Sequence, residues 1–91
     1  MDSKDTLRRV RFAALSVVMS KRGHRFPIGA IQVDSSKRGK WEVRVYGVRR
    51  PHKNDKPVAW VTVLKDRSFT LESCTFDDEE AKKVLARLPG K

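Results

Sequence analysis

Residues 40–48 read KWEVRVYGV. Trp41, Val43 and Val45 alternate with Glu42, Arg44 and Tyr46. Successive side chains of a strand point to opposite faces, so this period of two predicts a half-buried strand over Lys40–Val48. One side of it needs an apolar cover. The other side is free to meet water or a partner.

The neighbours of this strand follow from the punctuation around it. Upstream, Ser35-Ser36-Lys37-Arg38-Gly39 reads as a hairpin loop joined to a first strand over Ile28–Asp34, which starts after Pro27. Downstream, Pro57–Lys65 and Arg67–Phe76 are the third and fourth strands, with Asp66-Arg67 as a tight connection. Short connections favour antiparallel neighbours, which predicts a meander in the order 1-2-3-4. Alternation then assigns Ile31, Val33, Trp41, Val43, Val45, Val61, Val63, Phe69 and Leu71 to a core face. Gln32, Glu42, Arg44, Tyr46, Trp60, Thr62, Thr70 and Glu72 fall on the other face, with Val58 and Leu64 on that same side.

Helices supply the cover. Residues 5–21 carry Leu7, Val10, Ala14, Val17 and Val18 on one side, Ser3 or Asp5 as a cap, and Gly23 as a stop. Phe12, Leu15 and Met19 widen the apolar surface beyond an ordinary stripe, which suggests a homodimer or protein-partner surface there. At the other end, Asp77 and Glu80 form a D-x-x-E capping pattern. Ala81, Val84, Leu85 and Leu88 follow at helical spacing, Phe76 and Ala81 are placed as a hydrophobic staple, and Pro89-Gly90 stops the helix. The expected fold class is α+β, a single domain of helix, four-stranded antiparallel meander and helix.

Charge narrows the class of partner. The 91 residues carry a formal charge of +10. Residues 1–65 hold 16 Lys and Arg against 5 Asp and Glu, whereas residues 66–91 hold 5 against 6. A polyanion is the natural partner of such a chain, nucleic acid first, then anionic lipid or an acidic protein. The connection 47–60, GVRRPHKNDKPVAW, places Arg49, Arg50, His52, Lys53 and Lys56 at one end of the second strand. Lys37, Arg38 and Lys40 lie at its other end. Between them runs a strip with Arg44, Tyr46 and Trp60. Aromatic side chains stack on bases or sugars while Arg and Lys meet phosphate, so the candidate contact set is Arg38, Lys40, Arg44, Tyr46, Arg49, Arg50, Lys53 and Trp60. A cross-strand Tyr46–Trp60 pair that merely stabilises the hairpin would account for the two aromatics equally well.

Residues 46–88 carry a further pattern: Gly47-Val48-Arg49-Arg50, Trp60 in the next strand, and Thr75-Phe76 followed by Glu79-Glu80-Ala81. This is similar to the ethylene-response-factor-type DNA-binding domain of plants and to the amino-terminal arm-binding domain of tyrosine integrases. The resemblance implies a three-stranded sheet, backed by a carboxy-terminal helix, that enters a DNA groove. It also implies DNA contacts by Arg49, Arg50, Trp60 and Lys65. The helix–strands–helix order resembles the double-stranded-RNA-binding domain as well, with Pro51-His52 in the matching loop. There the start of the last helix is basic, and here it is the acidic Asp77–Glu80, which repels phosphate. DNA is therefore expected ahead of RNA.

Little points to chemistry. His24, His52 and Cys74 are far apart and lack paired ligand spacing, the glycines are scattered singly, and no serine sits in a nucleophile motif. The expectation is a binding protein and not an enzyme, without metal or cofactor. A single cysteine suits a reducing compartment, cytoplasmic or nucleoid. The apolar run Phe12–Met19 follows Arg8, Arg9 and Arg11, but it is short for a membrane span and lacks a small-residue cleavage site, so no membrane association is expected.

Overall fold

In the computed structural model, which describes residues 3–35 and 39–87, the alternating stretch forms a central strand, β2 (Lys40–Tyr46), numbered after β1 (Ala30–Asp34). β3 (Ala59–Leu64) and β4 (Leu71–Phe76) follow, and all neighbours pair antiparallel in the order β1-β2-β3-β4. α1 (Lys4–Arg22) precedes the sheet and α2 (Asp78–Arg87) follows it. This is the α+β meander that the alternation and the short connections predict. The hairpin segment Ser36-Lys37-Arg38 and the Leu88–Gly90 stop lie outside the described residues, so Arg38 is not placed.

α1 lies across the sheet and touches all four strands. Ser3 caps it: the Thr6 N–H donates to Ser3 Oγ at 3.1 Å. Gly23, at φ 82°, closes it with its N–H donating to the Met19 carbonyl at 2.8 Å. A left-handed residue after the last turn is where glycine carries least steric cost. Val10, Ala14 and Val18 are fully buried and share one core with Trp41, Val43, Val45, Val61 and Val63 of the sheet. Phe12 points the other way and is 69% exposed.

α2 completes that core from the end of the sheet. Val84 packs on Gly47, where a Cβ would fall 2.9 Å from Val84 Cγ1. The ends of the two helices are tied together by Arg22, which pairs with Asp78 at 3.2 Å and lies over the Phe76 ring at 4.2 Å. Phe76 meets Phe26 edge-on. The capping box forms only by half. Asp77 Oδ1 accepts from the Glu80 N–H at 2.9 Å, but the Asp77 N–H is taken by the Val58 carbonyl and the Glu80 carboxylate turns towards Arg87. Leu85, expected inside, is 47% exposed because α2 covers the sheet's end and not its face.

Three other assignments differ from strict alternation. Val58 is fully buried, not on the polar face: its N–H donates to the Val45 carbonyl at 2.7 Å while Ala59 is the register partner of Val45, so two residues stand against one. In β4 the register shifts between Thr62 and Val63, which pair with Ser73 and Leu71. The extra residue, Glu72, reverses the alternation. Cys74 and Phe76 therefore join the core, Ser73 and Thr75 face out, and Leu71 is left 39% exposed. β4 also begins late, because Asp66 holds a turn: its Oδ1 accepts from the Ser68 and Thr70 N–H groups at 3.0 and 3.1 Å. Bonds to Thr70 hold the Asp66 carboxyl below its usual range. That turn carries Phe69 at φ 53°, flat against Trp41.

Gly29 is the most closely approached of the described glycines. Its N–H donates to the Tyr46 carbonyl at 2.8 Å, and a Cβ there would lie 2.3 Å from the Val48 carbonyl carbon and 2.6 Å from the Arg49 nitrogen. Both are backbone atoms and cannot swing aside. Gly29→Ala should therefore destabilise the protein by about 1–3 kcal/mol, as for other overpacked sites. Urea unfolding should show this as a lower midpoint at unchanged slope.

Candidate nucleic-acid interface

α1 packs on one side of the sheet and α2 closes its end. Among the described residues no element lies on the other side. Register fixes what that open face displays. Gln32, Arg44, Trp60 and Thr75 form one row across the four strands. Asp34, Glu42, Thr62 and Ser73 form the next row, towards the β1–β2 hairpin. Tyr46, paired with Ala30, lies on the opposite side of the Arg44 row, towards the β2–β3 connection.

Trp60 is 37% exposed and makes no ring contact with another aromatic among the described residues. Arg44 stands directly opposite it and Tyr46 only diagonally, so the expected Tyr46–Trp60 cross-strand pair does not form in register. Arg44 is half-buried, and its Nε is enclosed without any hydrogen-bond partner. An enclosed donor left without an acceptor costs roughly 1–3 kcal/mol and demands a reason. Beside it, a hollow of about 210 Å³ opens between the two rows, bordered by Glu42 and Thr62 on one side and Arg44 and Trp60 on the other.

The β2–β3 connection continues this half of the face. Its shape comes from Asp55, whose carboxylate accepts the His52 N–H at 2.8 Å while its own N–H donates to the His52 carbonyl at 2.9 Å. Pro51 and Pro57 stiffen either side. Arg49, Arg50, Lys53 and Lys56 are all exposed, and none of them forms an ion pair with the described residues. Four free cations within eight residues, anchored at Gly47 and Gly29, make a fixed positive edge.

The other half of the face is different. Lys40 is held by Glu72 at 2.9 Å, and Asp34, Glu42 and Glu72 share this region of the sheet. Of the expected contact residues, Arg44, Tyr46, Trp60, Arg49, Arg50 and Lys53 lie towards the β2–β3 connection, and Lys40 lies at the hairpin end, next to the segment 36–38 that is outside the described residues. The acidic row is visible in the alternation of Asp34 and Glu42 once their register is known. Lys65, implied by the family resemblance, places its ammonium 5.5 Å from the Trp41 ring centre, on the core side.

No group of three or more His, Cys, Asp or Glu among the described residues is placed to hold a metal. Burial pushes the Cys74 thiol up, against partial relief from Lys21 and Arg22, which keeps it protonated and weakly nucleophilic. Among the described residues, no helix is long and apolar enough to cross a membrane. Comparison of the chain with protein-family models, with curated proteins and with solved structures returns no match.

Proposed function

We propose that the chain is a small nucleic-acid-binding module that lays its open sheet face on a DNA strand and grips the backbone with the β2–β3 connection. The observation that carries this is the meeting of the uncovered Arg44–Trp60 row with the unpaired cations Arg49, Arg50 and Lys53 at one edge. Aromatic and guanidinium groups side by side on a sheet suit stacking, and cations at the edge suit phosphate. The resemblance of residues 46–88 to sheet-plus-helix DNA-binding domains supports the same face. DNA is preferred to duplex RNA because the start of α2 is acidic, with Asp78 engaged by Arg22.

The test is a titration of labelled duplex DNA, duplex RNA and single strands at several salt concentrations. Submicromolar binding near 0.15 M salt, with a steep log–log slope and a preference among the ligands, is the expected result. Binding that vanishes by about 0.15 M salt would reduce the charge to non-specific attraction.

A second reading has its own observation. Phe12 is 69% exposed on the outward side of α1, beside a hollow of about 580 Å³ that Arg8, Arg67 and Phe69 also line. An acidic protein, or a second copy using Leu15 and Met19 as well, would bury that side chain. Loss of partner binding on Phe12→Ala, with Arg49 and Arg50 intact, would favour this reading.

A further inference from the structure

We infer that the Arg44–Trp60 row holds an unpaired base, so that the module takes single-stranded nucleic acid in preference to a duplex groove. This rests on the nucleic-acid reading above and specifies the form of its ligand. In a duplex the faces of the bases are covered by one another, and only their edges reach a groove. An indole face is usable only by a base that has left the stack. Trp60 offers such a face, since no other aromatic among the described residues packs on it and no element covers it.

The hollow beside it has a matching size. At about 210 Å³, it has room for a ring system beside the indole. Its lining is mixed and includes Trp60, Arg44, Thr62 and Glu42. A base brings what the enclosed Nε of Arg44 lacks, since carbonyl oxygens and ring nitrogens are acceptors. A small rotation of the guanidinium towards the bound base would satisfy that donor. The path of the backbone follows from charge. Arg49 lies five residues beyond Arg44, within roughly 17 Å at the rise of an extended chain. The same short strand can therefore reach both.

The experiment compares three labelled probes with the full chain by fluorescence anisotropy at fixed salt. They are an oligothymidine of about 12 nucleotides, an abasic deoxyribose strand with the same number of phosphates, and a blunt duplex. The base-bearing strand should bind roughly tenfold tighter than either of the others. Trp60→Ala should bring it down to the abasic level, and Trp60→Phe should keep most of the difference. Equal binding of base-bearing and abasic strands, or indifference to Trp60→Ala, would overturn the base site while the nucleic-acid reading stands. Tighter binding of the duplex would replace it with groove docking. Failure to bind any of the three would remove both.

Discussion

Trp41→Ala should remove a third or more of the protein's stability at 25 °C. Trp41 is 4% exposed, lies flat against Phe69 with ring centres 5.6 Å apart, and has the Lys65 ammonium 5.5 Å from its ring centre. The rest of the fully covered hydrophobic core consists of Val and Ala side chains. Small neighbours on strands and a helix cannot close over the space an indole leaves. The cost of truncating such a residue is about 3–5 kcal/mol. A domain of this size has about 5–10 kcal/mol in all. The urea midpoint should fall by a third or more, and the Asp66 turn that presents Phe69 should lose its order with it. Trp41→Phe should retain most of the stability. A Trp41→Ala protein that unfolds at the original midpoint would mean that the core is centred elsewhere.

The second large effect is on binding and leaves the fold alone. Arg49 and Arg50 are exposed and form no ion pair with the described residues, so Arg49→Ala/Arg50→Ala should unfold within about 0.5 kcal/mol of the parent. Each lost phosphate contact should flatten the slope of log K against log salt by about 0.7 on single strands and about 0.9 on duplex DNA. Two contacts should lower affinity on the order of tenfold to a hundredfold at low salt, and less as salt rises. An equal substitution at Lys40, already engaged by Glu72, should change binding far less. An unchanged salt slope in the double variant would remove the β2–β3 connection from the interface.

Much of this fold is legible in the chain because period and punctuation agree. KWEVRVY buries every second residue as its alternation demands, and the short connections leave little choice but a meander. What escapes the sequence are single-residue irregularities. The Val58-Ala59 doubling and the extra Glu72 each change the facing of a strand by one residue, and nothing in local composition marks them. A slip of one residue moves every later side chain to the other face. That is why Ser73 and Thr75 come out and Leu71 is only partly covered.

The candidate site was legible in a similar way. Composition alone picks out Arg49, Arg50 and Lys53, and alternation picks out Arg44 and Trp60. Register is needed to place Arg44, rather than Tyr46, against Trp60, and to bring Asp34 beside Glu42. The glycines at 29 and 47 also read as unremarkable single residues in the sequence. Their meaning comes from close approach to Val48 and Val84, contacts made between segments far apart along the chain.

The most direct measurement is a map of backbone amide shifts by NMR as single-stranded DNA is added to the full chain. The open-face model predicts that Arg44, Tyr46, Gly47 to Lys53, Trp60, Thr62 and Thr75 move together and saturate together. The outward residues of α1, from Phe12 to Met19, should stay where they are. Shifts confined to α1 and its arginines, with the Arg44–Trp60 row unmoved, would contradict it and assign the interface to the opposite side of the molecule.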